Sequence, residues 1–335
     1  MRSLVRLTLI SIPAVFAVFL ASCSAASSNG HLQRSGMYYD TVVTIDLYGK
    51  DNDVLSSAMD ECMNMCGRYE KLFNKNDTES DIASINSKKT GVKVDHDTAL
   101  MINESLKYCE LSDGMFDISV KPLTDLWDFH SQKGNIPDPH SLNQALPAVD
   151  FRQIFVDEKN DTVTVGENTA IDPGGSAKGY IADALAAYLS GCDITGAIIN
   201  IGGDIQTVGS KPDNEPFVIG VRDPFNKEDV LIPLKLNGQA VATSGIYERS
   251  FTAAGKRYHH ILDPESGYPA QTDVESATVI TSRALDADCL GTICILEGSN
   301  SALSLIDNTK DTEAVLILTD GSVVMSRNAA GYIRQ

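Results

Sequence analysis

Apolar and polar residues follow two different periods along this chain, and these periods indicate where helices and strands lie. Residues 53–73 and 98–111 carry apolar side chains at helical spacing, which predicts two amphipathic helices. Residues 41–48 alternate between apolar and polar side chains, which predicts a half-buried strand. Further strands are predicted at 115–120, 154–165 (a hairpin), 196–201, 217–222, 230–236, 239–243, 313–318 and 322–326. Further helices are predicted at 180–189, 285–296 and 299–308. Because strands dominate and several adjoin in hairpins, the pattern favours an α+β fold over a doubly wound α/β fold.

The N-terminal segment is typical of an export signal. Two arginines precede a mostly apolar run over residues 7–20, which is shorter than the roughly 20 residues that a membrane-spanning helix needs. The run ends in Leu20-Ala21-Ser22-Cys23, a small-residue cleavage site directly before a cysteine. This pattern predicts a lipoprotein signal peptide over 1–22, lipidation of Cys23 and a flexible tether over 23–35. The alternative is an ordinary secretory signal with a coincidental cysteine.

Charge and cysteine content narrow the classes of partner. The chain has 45 acidic against 27 basic residues, a formal net charge of −18, so we expect no nucleic-acid partner. Six cysteines follow Cys23, and an even number in an exported protein permits disulfides. Their apolar surroundings favour buried free thiols instead. A zinc site is not expected, since the sequence contains no CxxC pair and no HxxxH motif.

The first segment with candidate chemistry is the glycine-rich run from Asp172 to Gly179. Its glycines allow close approach of the backbone to a ligand, and a helix is predicted directly after it. Free N–H groups at a helix start favour an anion, and Lys178 adds a charge that pairs with phosphate. The run is not a P-loop, because Lys178 precedes a glycine rather than following one. Ordinary punctuation between a strand and a helix is the alternative interpretation.

The second candidate is the pair Asp288 and Thr292, which are four residues apart in a predicted helix. Such residues share one helix face, and a carboxylate and a hydroxyl there offer two oxygen ligands to Mg²⁺. The alternative is a helix cap with a solvated face.

Two further segments carry polar or aromatic side chains suited to a cleft. The run Tyr258-His259-His260 leads to a turn at Asp263, and one of the two histidines is a candidate acid or base. The run Met115-Phe116-Asp117 precedes the single tryptophan and offers aromatic surface for a flat ring. A satisfied polar histidine and a core strand with a loop are the respective alternatives.

The order of these motifs resembles a known family. GMYYDT, LFNKNDTESDIASIN, GMFDISVKPLTDLW, IDPGGSAKGYIAD, INIGGDI, ATSGIYER, YHHILDPESGYP and DADCLGT, taken in that order, resemble the ApbE family, the FAD:protein FMN transferases. The similarity runs from about residue 36 to about residue 296. It implies an ApbE-like α+β fold over 36–335, with mixed or antiparallel sheets in two lobes and an FAD cleft between them.

The resemblance also implies roles for individual residues. Positions that match cofactor-contacting residues of the family are Met37, Asn76, Met115, Phe116, Asp117, Asp172, Lys178 and Leu262. Positions that match the metal site are Gly175, through its carbonyl, Asp288 and Thr292. His260 matches the histidine at the reaction centre. We hypothesise that His260 helps to remove a proton, that Asp263 orients it and that Lys178 neutralises phosphate charge.

The implied reaction is Mg²⁺-dependent cleavage of the FAD pyrophosphate. FMN would pass to a Thr or Ser hydroxyl of an acceptor protein, and AMP would leave. Implied acceptors are envelope redox proteins with a flavinylation-type Thr. The implied location is the extracytoplasmic or periplasmic side of a bacterial membrane, through the lipid anchor.

Two departures from the family keep other activities open. Asn76 stands where many members have a stacking Tyr, so weaker FAD retention and hydrolysis of FAD to FMN and AMP are expected without an acceptor. Gly291 stands where many members have a second acidic residue, which leaves one or two metals open. An FAD pyrophosphatase and a non-catalytic flavin-binding lipoprotein are therefore the alternative functions.

Overall fold

The computed structural model describes residues 30–127, 129, 134–226 and 228–334 of the chain. The predicted signal peptide, Cys23 and the first part of the tether lie outside the described residues. Within the described residues, no helix combines the length and apolar character needed to cross a membrane.

Strands and helices are interspersed along the chain. The strands are β1 (Gly30–Tyr38), β2 (Thr41–Gly49), β3 (Val92–Lys93), β4 (Ile154–Asp157), β5 (Thr162–Val165), β6 (Gly196–Ile201), β7 (Asp204–Gly209), β8 (Phe217–Arg222), β9 (Val230–Leu236), β10 (Ala240–Gly245), β11 (Ser250–Ala253), β12 (Lys256–His259), β13 (Val274–Thr281), β14 (Glu313–Leu318) and β15 (Val323–Met325). The helices are α1 (Asn52–Phe73), α2 (Asp81–Lys88), α3 (His96–Leu111), α4 (Lys121–Thr124), α5 (Pro139–Ala145), α6 (Ala177–Ser190), α7 (Ala284–Glu297) and α8 (Ser299–Asn308).

An 8-stranded sheet forms the centre of the fold, with strand order β1-β2-β6-β7-β10-β13-β14-β15. Each neighbouring pair is antiparallel. Helices α1, α6, α7 and α8 pack on this sheet and on one another. Antiparallel pairing throughout this sheet confirms the predicted α+β class.

The two faces of the central sheet are both covered, as strand β10 shows. Ala240 and Ala242 belong to the main core, which includes the buried faces of the helices. Val241, which points the other way, packs in a second cluster with Leu234 and Leu236 of the hairpin β8–β9. Burial on both faces fixes the strand register, because a slip of one residue would exchange the two sets of side chains.

Smaller units carry the loops of the candidate site. β3, β5 and β4 form a 3-stranded sheet, and β11–β12 is a separate hairpin. A cluster of buried side chains joins that hairpin to α4 and α5; its members are Leu123, Trp127, Leu142, Phe251 and Leu262. The hairpin that leads to His260 is therefore anchored by aromatic packing.

Several sequence-based boundaries differ from the structure. Residues 30–35, assigned to the tether, form most of β1, because their backbone pairs with β2 from Gly30↔Gly49 onward. Residues 115–120, predicted as a strand, form turns with a single bridge between Val120 and Ala170. Helix α5 lies in a segment for which the sequence pattern predicts no element. The six cysteines after Cys23 are free thiols, and all but Cys192 are buried.

Candidate active site

Three charged side chains from α6, β7 and α7 meet at one point. Lys178, in the first turn of α6, donates a hydrogen bond to Asp204 Oδ2 at the start of β7. The same Nζ lies 3.3 Å from Asp288 Oδ1 and 3.2 Å from Asp288 Oδ2. Both carboxylates are buried, whereas 25% of the Lys178 side chain remains accessible. The ammonium group is thus shared between two acids, on a side chain that remains partly accessible.

Charge balance in this cluster favours a further cation. Burial disfavours the charged form of Lys178, but the carboxylates of Asp204 and Asp288 outweigh burial and raise its pKa. Burial raises the pKa of Asp204, the charge of Asp288 raises it further, and Lys178 opposes both effects. With two acids facing one ammonium, the cluster as a whole attracts positive charge.

Close packing of α6 on α7 sets the distance between Lys178 and Asp288. A Cβ at Gly179 would lie 2.5 Å from Ala284 O and 2.6 Å from Leu285 Cα, so the two helices touch through backbone. The Gly179 N–H donates to Asp288 Oδ2 at 3.3 Å. A side chain at position 179 would separate the two helices.

The N-terminus of α7 is capped by a residue of α6. Asp183 accepts hydrogen bonds from Ala284 N at 2.6 Å and from Leu285 N at 3.1 Å. The residue in the N-cap position, Arg283, makes no side-chain cap of its own. Burial raises the pKa of Asp183 to about 6. This cap helps to fix the start of the helix that carries Asp288.

Oxygen groups surround the helix face that carries Asp288 and Thr292. A Cβ at Gly175 would lie 3.7 Å from Thr292 Oγ1 and 2.9 Å from Phe116 Cε2, so the glycine-rich loop passes close to both side chains. Ser244 Oγ of β10 lies 3.3 Å from Thr292 Oγ1. The structure therefore brings together Gly175, Asp288 and Thr292, the three residues predicted to bind metal.

This donor set fits a hard divalent cation. A carboxylate, a hydroxyl and a loop carbonyl are the ligand types that Mg²⁺ prefers in proteins. Among the residues that the structure describes, no group of three or more His, Cys, Asp or Glu side chains is arranged to hold a metal ion. A cation at this site would accordingly rely on hydroxyl and carbonyl oxygens beside Asp288.

His260 follows the hairpin β11–β12 and is electrostatically linked to the cluster. Its backbone N–H donates to Arg249 O at 3.1 Å. Its ring Nδ1 is buried and has no hydrogen-bond partner among the described residues. Burial lowers the pKa of His260 to about 3, and the positive charges of Arg249 and Lys178 contribute. The imidazole is therefore neutral at physiological pH and has a free nitrogen.

An ion pair between an exposed arginine and a buried glutamate ties this hairpin to the central sheet. Arg257 of β12 donates to both carboxylate oxygens of Glu275 on β13, at 2.8 and 2.6 Å. Glu275 is buried, and its backbone carbonyl accepts from Ile246 N at 3.1 Å. This pair fixes the hairpin that precedes His260 relative to β13.

Asp263 does not support His260 in the predicted way. Its carboxylate accepts from Glu265 N at 2.8 Å and from Ser266 Oγ at 2.7 Å, so both oxygens are engaged in its own turn. Within the described residues no hydrogen bond joins Asp263 to His260. The physical reason is that Asp-Pro-x-x-Gly forms a local turn, in which Asp accepts from residues two and three positions later.

Asp172 anchors the start of the glycine-rich loop. It forms an ion pair with Lys75 and accepts from Thr124 Oγ1 at 3.0 Å and Gly174 N at 3.1 Å. Burial opposes ionisation of Asp172, but the charge of Lys75 and these hydrogen bonds lower its pKa. The exposed residue Asn76 follows Lys75 directly and therefore lies at the rim of this loop.

The other predicted cofactor contacts have distinct environments. Met37 is 68% exposed near the tip of the β1–β2 hairpin, opposite Val42. Val42 O accepts from the N–H of Gly202, two residues before Asp204, which connects this hairpin to the charged cluster. Asp117 accepts from Ser119 N at 2.7 Å and Phe151 N at 3.0 Å, and burial raises its pKa.

Met115 and Leu262 complete the predicted set. Met115 is partly buried against the main core, and its N–H donates to Ser112 O at 3.0 Å. Leu262 is buried among Trp127 and Phe251. Two open grooves of about 290 and 570 Å³ lie elsewhere, the first beside Asp183 and the second along α8; neither is lined by a predicted site residue.

Three residues near the site were not assigned a role from the sequence. Asp204 pairs with Lys178, Lys75 pairs with Asp172, and Ser244 approaches Thr292. Each belongs to a motif that the sequence analysis quoted, namely INIGGDI, LFNKND and ATSGIYER. The charged or hydroxyl side chain inside each motif could have indicated a site residue. Its partner could not be identified, because it lies far away in the sequence.

Comparison with known proteins places this arrangement in context. The model of the ApbE family matches residues 39–316. A Klebsiella pneumoniae protein named FAD:protein FMN transferase is 30% identical over 304 residues, covering 90% of this chain and 93% of that protein. A Treponema pallidum protein of the same name is 27% identical, covering 94% and 92% respectively. The crystal structure of the ApbE protein from Thermotoga maritima superimposes with a TM-score of 0.84 and 31% identity, covering 91% of this chain and 100% of that one. The Vibrio cholerae flavin transferase ApbE shares the fold, with a TM-score of 0.80 and 22% identity over 91% of this chain and 99% of that one.

Proposed function

This chain belongs to the ApbE family, and we propose that it is an FAD:protein FMN transferase. The specific proposal is that it cleaves the FAD pyrophosphate in the presence of Mg²⁺. FMN is attached through a phosphoester to a Thr or Ser of an acceptor protein, and AMP is released.

The observation that carries this proposal is the convergence of Lys178, Asp288 and Thr292 beside the glycine-rich loop. The Lys178 side chain is partly accessible, and its ammonium lies next to the buried carboxylate of Asp288, which shares one face of α7 with the hydroxyl of Thr292. A pyrophosphate brings negative charge that must be neutralised before its bridging bond can break. The cluster offers one cation of its own and oxygen ligands for a second.

Binding and orientation of FAD are assigned to the loops around this cluster. We propose that Asp172 and the N–H groups at the start of α6 contact FAD, because the ion pair between Asp172 and Lys75 holds the loop in place. We assign the exposed Met37 and the segment Met115-Phe116 to the apolar contacts of the two ring systems. Lys178 is assigned to a phosphate oxygen, which it reaches through its accessible side.

The metal site consists of Asp288, Thr292 and the carbonyl of Gly175. The chemistry that Mg²⁺ supplies when bound here is neutralisation of developing charge on the phosphate oxygens. Asp288 is held for this task by the backbone N–H of Gly179, and Gly175 lies against the ring of Phe116.

The transfer step requires removal of one proton. The acceptor hydroxyl oxygen forms a bond to the FMN phosphorus, and the bond from that phosphorus to the bridging oxygen breaks. AMP leaves with the bridging oxygen, and the hydroxyl proton passes to the neutral imidazole of His260. The low pKa of His260, which burial causes, keeps the ring unprotonated before the step. Asp263 takes no part as its direct partner, since its carboxylate is engaged in its own turn.

A mixture of the protein, FAD, Mg²⁺ and a Thr-bearing acceptor peptide tests this function. The proposal predicts that the peptide gains the mass of FMN less one water, while AMP appears in equal amount. Asp288→Ala should abolish the reaction that depends on Mg²⁺, and unchanged turnover by that variant would exclude the metal site. Asp46→Asn is a matched control, because Asp46 pairs with His31 and Gln33 instead of the site.

Hydrolysis is a second candidate activity, and the position of Asn76 favours it. This side chain is exposed beside Lys75, so an amide replaces an aromatic ring at the rim of the loop. We expect slow release of FMN and AMP without acceptor. Asn76→Tyr should reduce that release relative to transfer. If FAD stays intact after prolonged incubation of the parent protein with Mg²⁺, hydrolysis is contradicted. If FAD also stays intact when the acceptor is present, the result favours a flavin-binding protein without catalytic activity.

We further propose that the enzyme acts on envelope redox proteins outside the cytoplasm, anchored through lipid on Cys23. The support is the sequence of the N-terminal segment alone. Cys23→Ala should move the protein from the membrane fraction to the soluble fraction of the cell envelope. Retention in the membrane fraction would contradict the anchor.

A further inference from the structure

Asp204 belongs to the charged cluster, yet the proposed reaction gives it no role. Its side chain is buried, and its Oδ2 accepts a hydrogen bond from Lys178. It is therefore a fixed partner of the residue assigned to the phosphate.

The carboxylate of Asp288 has two competing demands. In this structure its oxygens lie 3.3 and 3.2 Å from Lys178 Nζ, and Oδ2 also accepts from Gly179 N–H. Under the proposed function the same carboxylate holds a divalent cation. Because the cation and the ammonium carry like charge, occupation of the metal site weakens the contact between Lys178 and Asp288.

The backbone holds Asp204 away from this competition. Asp204 pairs with Ile201 across the turn that joins β6 to β7. In that turn, Gly202 donates to Val42 O at 3.1 Å and Gly203 donates to Asn200 Oδ1 at 2.9 Å. Both glycines have positive φ, at +61° and +105°, so the turn is tightly specified. Asp204 consequently stays in place while Asp288 changes its partner.

We propose that Asp204 is a positioning residue, which retains Lys178 beside the pyrophosphate site when Asp288 turns to the cation. The inference rests on the proposed function, because it takes Asp288 as a metal ligand. Without Asp204, the ammonium would have Asp288 as its remaining carboxylate partner among the described residues of the cluster, and it would compete with the metal for that carboxylate.

The test is Mg²⁺ binding to the FAD-free protein, measured by isothermal titration calorimetry. The proteins compared are the parent, Asp204→Asn, Lys178→Met, the double variant and the control Asp46→Asn. We expect Asp204→Asn to weaken Mg²⁺ binding by roughly tenfold when Lys178 is present, because the unpaired ammonium then holds Asp288. In the Lys178→Met background the same change should have a clearly smaller effect. Asp46→Asn should bind Mg²⁺ as the parent does.

The proposal is decided by comparing how much Asp204→Asn weakens Mg²⁺ binding in the parent and how much it does so in the Lys178→Met background. If Asp204 acted on the cation directly, as a ligand or through its charge, its loss would weaken binding at least as much in the Lys178→Met background, and positioning would be overturned. Equal Mg²⁺ binding by Asp204→Asn and the parent would also overturn it. Asp288→Asn is measured alongside these proteins. If the parent does not bind Mg²⁺, or if Asp288→Asn binds it as tightly as the parent, the metal site itself fails and the inference fails with it. Thermal unfolding of each variant verifies that all are folded.

Discussion

The Nζ atom of Lys178 lies 3.2 Å from Oδ2 of Asp288, although 110 positions separate the two residues in the chain. The contact exists because α6 and α7 pack through backbone at Gly179 and because Asp183 caps α7. The candidate active site therefore depends on the packing of two helices, and several of its properties can be tested away from the reacting groups.

The first prediction concerns the contact between α6 and α7. Gly179→Ala should destabilise the protein by about 1–3 kcal/mol, since a Cβ there would overlap the backbone of Ala284 and Leu285. It should also weaken Mg²⁺ binding, because separation of α6 from α7 moves Asp288 and Thr292 away from the loop that carries Gly175. Chemical denaturation and calorimetry measure the two effects. Gly67→Ala is the matched control: it lies inside α1 with its nearest neighbour at 3.9 Å and should be neutral or stabilising by up to about 1 kcal/mol. Equal stability of both variants would contradict the packing argument.

The second prediction concerns the cap of α7. Asp183→Ala should reduce the free energy of unfolding by about 1–2 kcal/mol, because the N–H groups of Ala284 and Leu285 lose their acceptor. Asp183→Asn retains an acceptor oxygen and should lose less. Urea denaturation of the three proteins at one pH checks the order. An Asn variant that is as unstable as the Ala variant would show that the carboxylate acts through something other than the cap.

The third prediction concerns the protonation of His260. Its pKa is lowered to about 3, so the rate of transfer should show no decline from protonation of this ring between pH 8 and pH 5. His260→Ala should lose transfer but still bind FAD. A transfer rate of the parent protein that falls with an apparent pKa near 6.5 would contradict a neutral imidazole at position 260.

The lowered pKa of the neighbouring His259 has a consequence for stability. Burial lowers the pKa of His259 to about 4, from an ordinary value of 6.5. Between pH 6.5 and pH 4 the unfolded chain binds a proton at His259 that the folded chain does not. The contribution of neutral His259 to the free energy of unfolding is therefore fully present above pH 6.5 and is lost as the pH falls towards 4. The free energy of unfolding of the parent should fall more steeply over this range than that of His259→Gln. Parallel pH dependence in the two proteins would contradict the shift.

The fifth prediction concerns the ion pair between Arg257 and Glu275. Arg257→Ala leaves a buried carboxylate without its guanidinium, and we expect a loss of about 1–3 kcal/mol together with reduced kcat for transfer. Arg257→Lys should recover part of both, because it restores the charge but not the bidentate geometry. A variant with lower stability but normal kcat would indicate that the pair does not position His260.

The sequence indicated the proximity of two residues that we propose to bind metal, but not their surroundings. Asp288 and Thr292 share a helix face by spacing alone, so their proximity needed no tertiary information. The sequence pattern puts Lys178 in a loop, but it lies in the first turn of α6, because Ala177 already begins the helix. Its partner Asp204 could not be predicted, since only the pairing of β6 with β7 and the packing of α6 bring the two together.

The elements that sequence analysis missed have physical explanations. β13 is buried on both faces and contains Glu275, Ser276 and Thr278, so it shows neither alternation nor a continuous apolar run. β1 is polar and Gly-containing and takes its structure from pairing with β2. Residues 115–120 have strand-like composition, but Asp117 accepts hydrogen bonds from Ser119 N and Phe151 N and stabilises turns instead.

Mass spectrometry of an acceptor tests the central claim most directly. The protein is incubated with FAD, Mg²⁺ and a peptide or domain bearing a flavinylation-type Thr, alongside Asp288→Ala and Asp46→Asn. We predict that the acceptor gains one FMN with equimolar release of AMP, that Asp46→Asn does the same and that Asp288→Ala does not. An acceptor that remains unmodified while FAD stays intact, or while all of the FMN appears free in solution, would contradict the assignment of this site to FMN transfer.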